Sequence, residues 1–143
     1  MKKVIVRSSL LVAVIMIAGC NRNGLDNKVW KFSGSDAKRG IDHYYSKPSV
    51  KKIGEGVFTV TTKAVPTKGN KAVEEATNVK NIYAVATTFE LGCKDKYVRL
   101  LVKDYQDKDG MSLKVEKEEM SMDSVRPVTP EMSLYGMYQD LCK

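Results

Sequence analysis

Three cysteines, at positions 20, 93 and 142, constrain this chain more than any other feature. An odd number leaves at least one of them without an intramolecular partner, and the surroundings of Cys20 single it out. Residues 1 to 20 read MKKVIVRSSLLVAVIMIAGC. A basic start (Lys2, Lys3, Arg7) precedes an uncharged apolar core from Leu10 to Ile17, and the small residues Ala18 and Gly19 follow. That is the three-part layout of a secretory signal. The core is well short of the roughly 20 residues that span a bilayer, so export fits better than a permanent transmembrane helix.

The order small, small, Cys in IAGC resembles a bacterial lipobox. The resemblance implies that the Cys20 thiol receives a diacylglyceryl group and that cleavage removes residues 1–19. The new amine of Cys20 is then acylated, with a fatty acid such as palmitate. Two or more chains make such an anchor stable, each buried methylene contributing about 0.8 kcal/mol. A plain signal peptide that happens to carry a cysteine is the competing reading. Asn21 stands where an Asp would hold an enteric-type lipoprotein in the inner membrane, so an outer-membrane location is expected. Residues 20–28 are polar, lack apolar periodicity and read as a lipid-anchored tether. Residues 29–143, about 115 of them, are enough for one domain with its own core.

Charge narrows the partners. The full chain carries a formal net +7, but Lys2, Lys3 and Arg7 leave with the signal, which reduces 24 Lys and Arg to 21 against 17 Asp and Glu, a net +4. The remaining lysines, including Lys47, Lys51, Lys52, Lys63, Lys68 and Lys71, are scattered rather than blocked and read as a solvated face. Nucleic acid is therefore a poor partner for this chain, and the exported location argues against it as well.

Period-two segments dominate the domain. VWKF (29–32), IDHYY (41–45) and SVKKI (49–53) are strand-like, as is VFTVTTKAV (57–65), joined to its predecessor by GEG as a hairpin. KAVEEATNVK (71–80) fits a helical turn or two. NIYAVATTFEL (81–91), KYVRLLVKDY (96–105) and MSLKVEKEE (111–119) read as strands, the last two flanking QDKDG. In the final strand Met111, Leu113 and Val115 face one way, opposite Ser112, Lys114 and Glu116, as in an antiparallel sheet packed on one side. The end of the chain changes period. VTPEMSLYGMYQDLCK places Thr129 at an N-cap, Pro130 at the first helical position and Glu131 in the first turn. Leu134, Met137, Tyr138 and Leu141 recur at helical spacing. Gly136 weakens that helix by up to about 1 kcal/mol, so the sheet is expected to hold it. Strands followed by one helix make an α+β fold.

Cys93 follows a predicted strand and Cys142 ends the predicted helix. In an oxidising compartment the two are expected to pair, closing a loop of about 50 residues worth about 4 kcal/mol in the chain-entropy model. Two free thiols, or one catalytic thiol, are the alternatives. Nucleophilic cysteine needs a base, and the single histidine, His43, sits inside the aromatic strand IDHYY.

Other motifs lead to ordinary structure. YQDKDGMSLKVE (105–116) aligns Asp107, Asp109, Gly110 and Glu116 with an EF-hand loop but puts Tyr105 where the first carboxylate belongs, and its flanks alternate like strands. A hairpin turn at DKDG explains it better. One histidine makes a zinc site improbable. Tyr44 and Tyr45 point to opposite faces, one to the core and one outward. Met111, Met120, Met122, Met132 and Met137 read as core filling rather than soft-metal ligands. No Gly-rich phosphate loop, Ser-His-Asp set or Arg-Gly-Asp signal occurs, and no cofactor is expected.

The lipobox, an early Trp30, HYYSKPSVKKIGEGVFTVTTK, a mid-chain Cys93, a strand pair around YQDKDG, and RPVTPEMSLYGMYQDLC together resemble the surface-adhesin protein E family over nearly the whole mature chain. The resemblance implies an antiparallel sheet of about six strands packed against one C-terminal helix, with a disulfide tying the helix down. It also implies a lipid-anchored outer-membrane protein that binds a macromolecular partner, either host matrix protein or an envelope component, without enzymatic activity. A periplasm-facing module that binds a small ligand or assists envelope assembly is the alternative. The ligand-binding residues and the oligomeric state are not legible at this level.

Overall fold

The computed structural model describes residues 25–119 and 124–143. The signal peptide, Cys20, Met120 and Met122 lie outside the described residues. The strands are β1 (Trp30–Asp36), β2 (Ile41–Ser46), β3 (Lys51–Gly54), β4 (Val57–Pro66), β5 (Ala84–Gly92), β6 (Tyr97–Gln106), β7 (Ser112–Lys117) and β8 (Val125–Pro127). Two short helices, α1 (Lys71–Thr77) and α2 (Tyr135–Leu141), complete the described elements. The strands form one open antiparallel sheet in the order β1-β2-β4-β5-β6-β7, with β3 also on β4 and β8 also on β6. The sheet thus has eight strands rather than about six, because each of the long strands β4 and β6 carries two short strands in line along one side.

The break between β2 and β3 is a single 3-10 turn, Lys47–Ser49, opened by Pro48. Proline cannot donate to a ladder, so the strand stops there. Ser49 repairs the gap: its Oγ donates to Ser46 O at 2.8 Å and accepts the Thr61 backbone N–H at 2.8 Å. The hairpins fall at GEG and QDKDG, with Gly56 and Gly110 at positive φ (64° and 79°) as such turns require. Asp107 accepts the amides of Asp109 and Met111 within the second of these turns. Residue 81 does not start a strand. The Glu74 carboxylate takes the Asn81 N–H at 2.6 Å and the Asn70 amide bonds Ile82 O, so helix α1 claims this stretch and β5 begins at Ala84.

Register divides the side chains between two faces. On one, Tyr45, Val60, Leu134 and Met137 form a buried cluster with Val50, Phe89 and Leu141 against it. On the other, Leu25, Val65 and Ala84 are buried among Trp30, Tyr44 and Tyr83. The two tyrosines of IDHYY do point apart: Tyr45 is core, and Tyr44 lies edge-on to Phe32 at 5.6 Å. Strand β7 departs from expectation, since Met111, Leu113 and Val115 are 66, 41 and 51 % exposed. It is the last strand of the sheet, and no described element covers its apolar side chains.

Helix α2 starts at Tyr135, five residues later than Pro130. The cause is β1. The Ser33 hydroxyl donates to Ser133 O at 2.9 Å and accepts the Met137 N–H at 3.2 Å. Those two backbone groups would bond to each other in a continuous helix. Ser33 inserts between them, so it caps the helix from a strand and leaves residues 130–134 as turns. The approach is close enough that glycine is needed on both sides. An added Cβ on Gly34 would lie 2.6 Å from Ser133 O, and one on Gly136 would run into Ser33 O.

Candidate functional site

The C-terminal end of α2 is fixed by a disulfide between Cys93, just past β5, and Cys142, with Cα atoms 5.3 Å apart. A charged cluster holds the same end. Asp140 Oδ2 pairs with Lys31 Nζ at 2.7 Å and accepts the Tyr45 hydroxyl at 3.1 Å. The Lys31 hydrogen bond is the main reason the Asp140 carboxyl sits below the usual carboxylate range. Tyr138 stacks on Tyr135 at 5.9 Å, and its hydroxyl reaches Cys93 O at 3.5 Å.

With α2 pinned over β1, β2 and β4, the turns of residues 129–134 lie along the same face farther across the sheet. Between this arm and the strands runs a groove in two parts. A cavity of about 400 Å³ is lined by Phe89, Val98, Leu100, Lys103 and Arg126 among others. A second, of about 260 Å³, is lined by Asp36, His43, Thr62, Thr87 and Glu131 among others. Phe89, Met132 and Leu134 line both, so the two adjoin as a two-part trough with these apolar side chains at the shared border and charged side chains beyond it. Under α2 itself the space is filled, with Met137 and Val60 fully buried.

His43 lies in this trough, away from the disulfide sulfurs, which form no thiolate while bonded. Burial holds its imidazole below the usual 6.5; Arg39 acts in the same direction, while Asp36 and Asp42 pull it back. The folded chain therefore resists a proton that the unfolded chain takes up near pH 6.5. The stability linked to His43 is complete above that pH and is lost as pH falls through the depressed folded value. Urea midpoints measured on either side of pH 6.5 should fall with acid in the native chain and change less in His43→Gln. The carboxylates held low, Asp140 and Glu116, lose their contribution only in a more acidic window.

The other residues singled out in the sequence are accounted for individually. Of the tether, only residues 25–28 are described, and they are folded onto the domain: Leu25 is 7 % exposed, and Val29 and Trp30 both donate to Asp26 O. Residues 25–28 therefore belong to the domain rather than to a tether. In the loop resembling an EF-hand, Tyr105 donates to Glu116 at 2.9 Å, joining its first and last positions. Burial, then that bond, pushes the Tyr105 hydroxyl up to about 12. Met137 is core, Met132 lines the trough, and Met111 is exposed. Lys63 is no mere solvated lysine, since its Nζ sits 4.7 Å from the centre of the Trp30 ring.

The trough itself escaped the sequence reading, which placed residues 129–134 in a helix. Two prolines three positions apart, Pro127 and Pro130, were the available signal, because a residue before proline avoids helical angles.

Two solved structures share this architecture. The crystal structure of protein E from non-typeable Haemophilus influenzae superposes with a TM-score of 0.55 at 12 % identity, covering 83 % of this chain and 78 % of that one. A second crystal form of Haemophilus influenzae protein E gives 0.52 at 17 % identity, covering 80 % and 95 %. The chain has a protein E-like fold. At these identities the likeness establishes architecture alone. No family model and no curated protein matches the sequence. Among the described residues no helix is long and apolar enough to cross a membrane.

Proposed function

We propose that this chain is a lipid-anchored bacterial envelope protein that binds a macromolecular partner in the trough beside α2, without catalysing a reaction. The trough carries the reading. It is a two-part surface groove with Phe89, Met132 and Leu134 at the shared border, Leu100, Lys103 and Arg126 on one side and His43, Asp36 and Glu131 on the other. Such a groove suits an extended segment of another molecule, whereas a small ligand is buried on most of its surface in an enclosed pocket. The filled core under α2 counts against the small-ligand alternative. Attachment through diacylglyceryl on Cys20, an outer-membrane location and membership of the surface-adhesin protein E family belong to the same proposal. They rest on IAGC, Asn21 and the sequence resemblance, with the shared fold in support.

A photo-crosslinking amino acid placed at Met132 or Leu100, with Glu55 at the far end of the sheet as control, tests the trough in the protein's own cells. Adducts to one macromolecule from 132 and 100 but not from 55 are expected. Adducts from 55 alone would move the binding surface elsewhere. Protease shaving of intact cells separates the two classes of partner: cleavage fits a host or environmental surface, and full protection fits an envelope component.

A further inference from the structure

The second cavity of the trough has its origin in the sheet register. One row of side chains runs Tyr45, Thr62, Thr87 and Lys103, on β2, β4, β5 and β6. The row beside it runs from His43 to Ala64. Thr62, Ala64 and Thr87 are short, and the cavity of about 260 Å³ opens above them, beneath the arm of residues 129–134. Its polar floor is not used up by the fold. The Thr62 hydroxyl donates to Thr87 O at 3.3 Å, but among the described residues nothing bonds to the hydroxyl of Thr87, which is only 8 % exposed. The half-buried His43 ring likewise has no hydrogen-bond partner among them. Enclosed polar groups in folded chains are almost always paired, so these two point to a group that arrives from outside.

The charges that line this cavity have one sign. Asp36 at the end of β1 and Glu131 on the arm both border it. Asp42, next to His43 in the chain, is taken by the Ser35 hydroxyl. Arg39 is the neighbouring cation, but its Nε stands 3.7 Å from Asp36 with the side chain 79 % exposed, so it lies in solvent and fills nothing. Lys103 and Arg126 line the first cavity and not the second.

We infer that the second cavity takes a cationic side chain of the partner, arginine in preference to lysine. The inference rests on the trough as the binding surface and adds what that surface selects. A guanidinium offers five N–H donors in one planar fork, enough for the two carboxylates, the Thr87 hydroxyl and the unprotonated His43 nitrogen. It is also more weakly hydrated than an ammonium, so it gives up less on entering a partly apolar site. The aliphatic stem then lies on Phe89, Met132 and Leu134 at the border of the two cavities. Lys103 and Arg126 repel the same side chain from the first cavity, which fixes the half of the trough it enters.

The probe is acetyl-Leu-Arg-Leu-amide, with acetyl-Leu-citrulline-Leu-amide as an uncharged twin of nearly the same shape. Each is titrated into the full-length chain in neutral detergent while the His43 ring and Thr87 methyl resonances are followed. The arginine peptide should shift both resonances saturably, at a concentration about tenfold lower than the citrulline peptide, as expected for charge-assisted hydrogen bonds. Glu131→Gln, at an exposed position, should remove most of that preference, and Arg126→Gln in the first cavity should leave it in place. Equal titrations by the two peptides overturn the charge selection. No shift at either residue overturns the cavity as a side-chain site and leaves its polar groups to water. Crosslinking separates this from the trough reading: adducts through Met132 and Leu100 with no arginine preference sink the inference alone, whereas adducts from Glu55 alone sink both.

Discussion

Replacing Cys93 and Cys142 together by alanine is expected to lower the free energy of unfolding by about 2–5 kcal/mol, the range for native disulfides in small domains. The bridge spans 49 positions, so its removal releases a large loop in the unfolded chain. The folded side suffers as well. Helix α2 has only seven residues, too few to persist alone, and carries a glycine. Without the bridge its C-terminal end relies on the Asp140–Lys31–Tyr45 cluster. Urea unfolding followed by circular dichroism should show a lower midpoint for the double variant, and reducing the native protein should reproduce most of the loss. An unchanged midpoint would mean that the charged cluster alone holds the helix end.

The second large effect reverses what helix propensity teaches. In an isolated helix Gly136→Ala would stabilise by about 1 kcal/mol. Here it should destabilise by about 1–3 kcal/mol, the usual cost of overpacking. The new methyl meets the Ser33 carbonyl oxygen, a backbone atom that cannot rotate aside. If α2 is pushed off β1, the Ser33 bridge between Ser133 O and Met137 N opens with it. Thermal melts of Gly136→Ala and Gly34→Ala check the account, since both residues line the same crossing. A higher melting temperature for either would mean that strand and helix can separate without loss.

The alternation of Val57–Val65 and the TTFEL run made β4 and β5 legible, because side-chain period alone assigns such strands. The glycine turns fixed two hairpins for the same local reason. What escaped was non-local. Ser33 is one hydroxyl a hundred positions from its partner, and no window of sequence shows that it interrupts a helix. Likewise, Met111, Leu113 and Val115 display a regular apolar period, yet the strand is at the sheet's edge and leaves them in solvent. Periodicity reports which residues share a face; only topology decides whether that face has a neighbour. The trough depends on the first of these, being built by residues 129–134 that helix spacing had absorbed.

The Ser33 bridge also orders events in time. Its partners lie 100 and 104 positions away, and Tyr45 reaches Asp140 across 95. Contacts of such separation pay a large loop-closure cost before they return anything, so they form after the local hairpins. During synthesis the β1–β2 hairpin emerges early and must wait, with Gly34 and the Ser33 hydroxyl unoccupied, for the final segment to arrive. The oxidation of Cys93 with Cys142 then locks a helix end that the Asp140–Lys31–Tyr45 cluster also holds, and until the last segment arrives the sheet stands without α2.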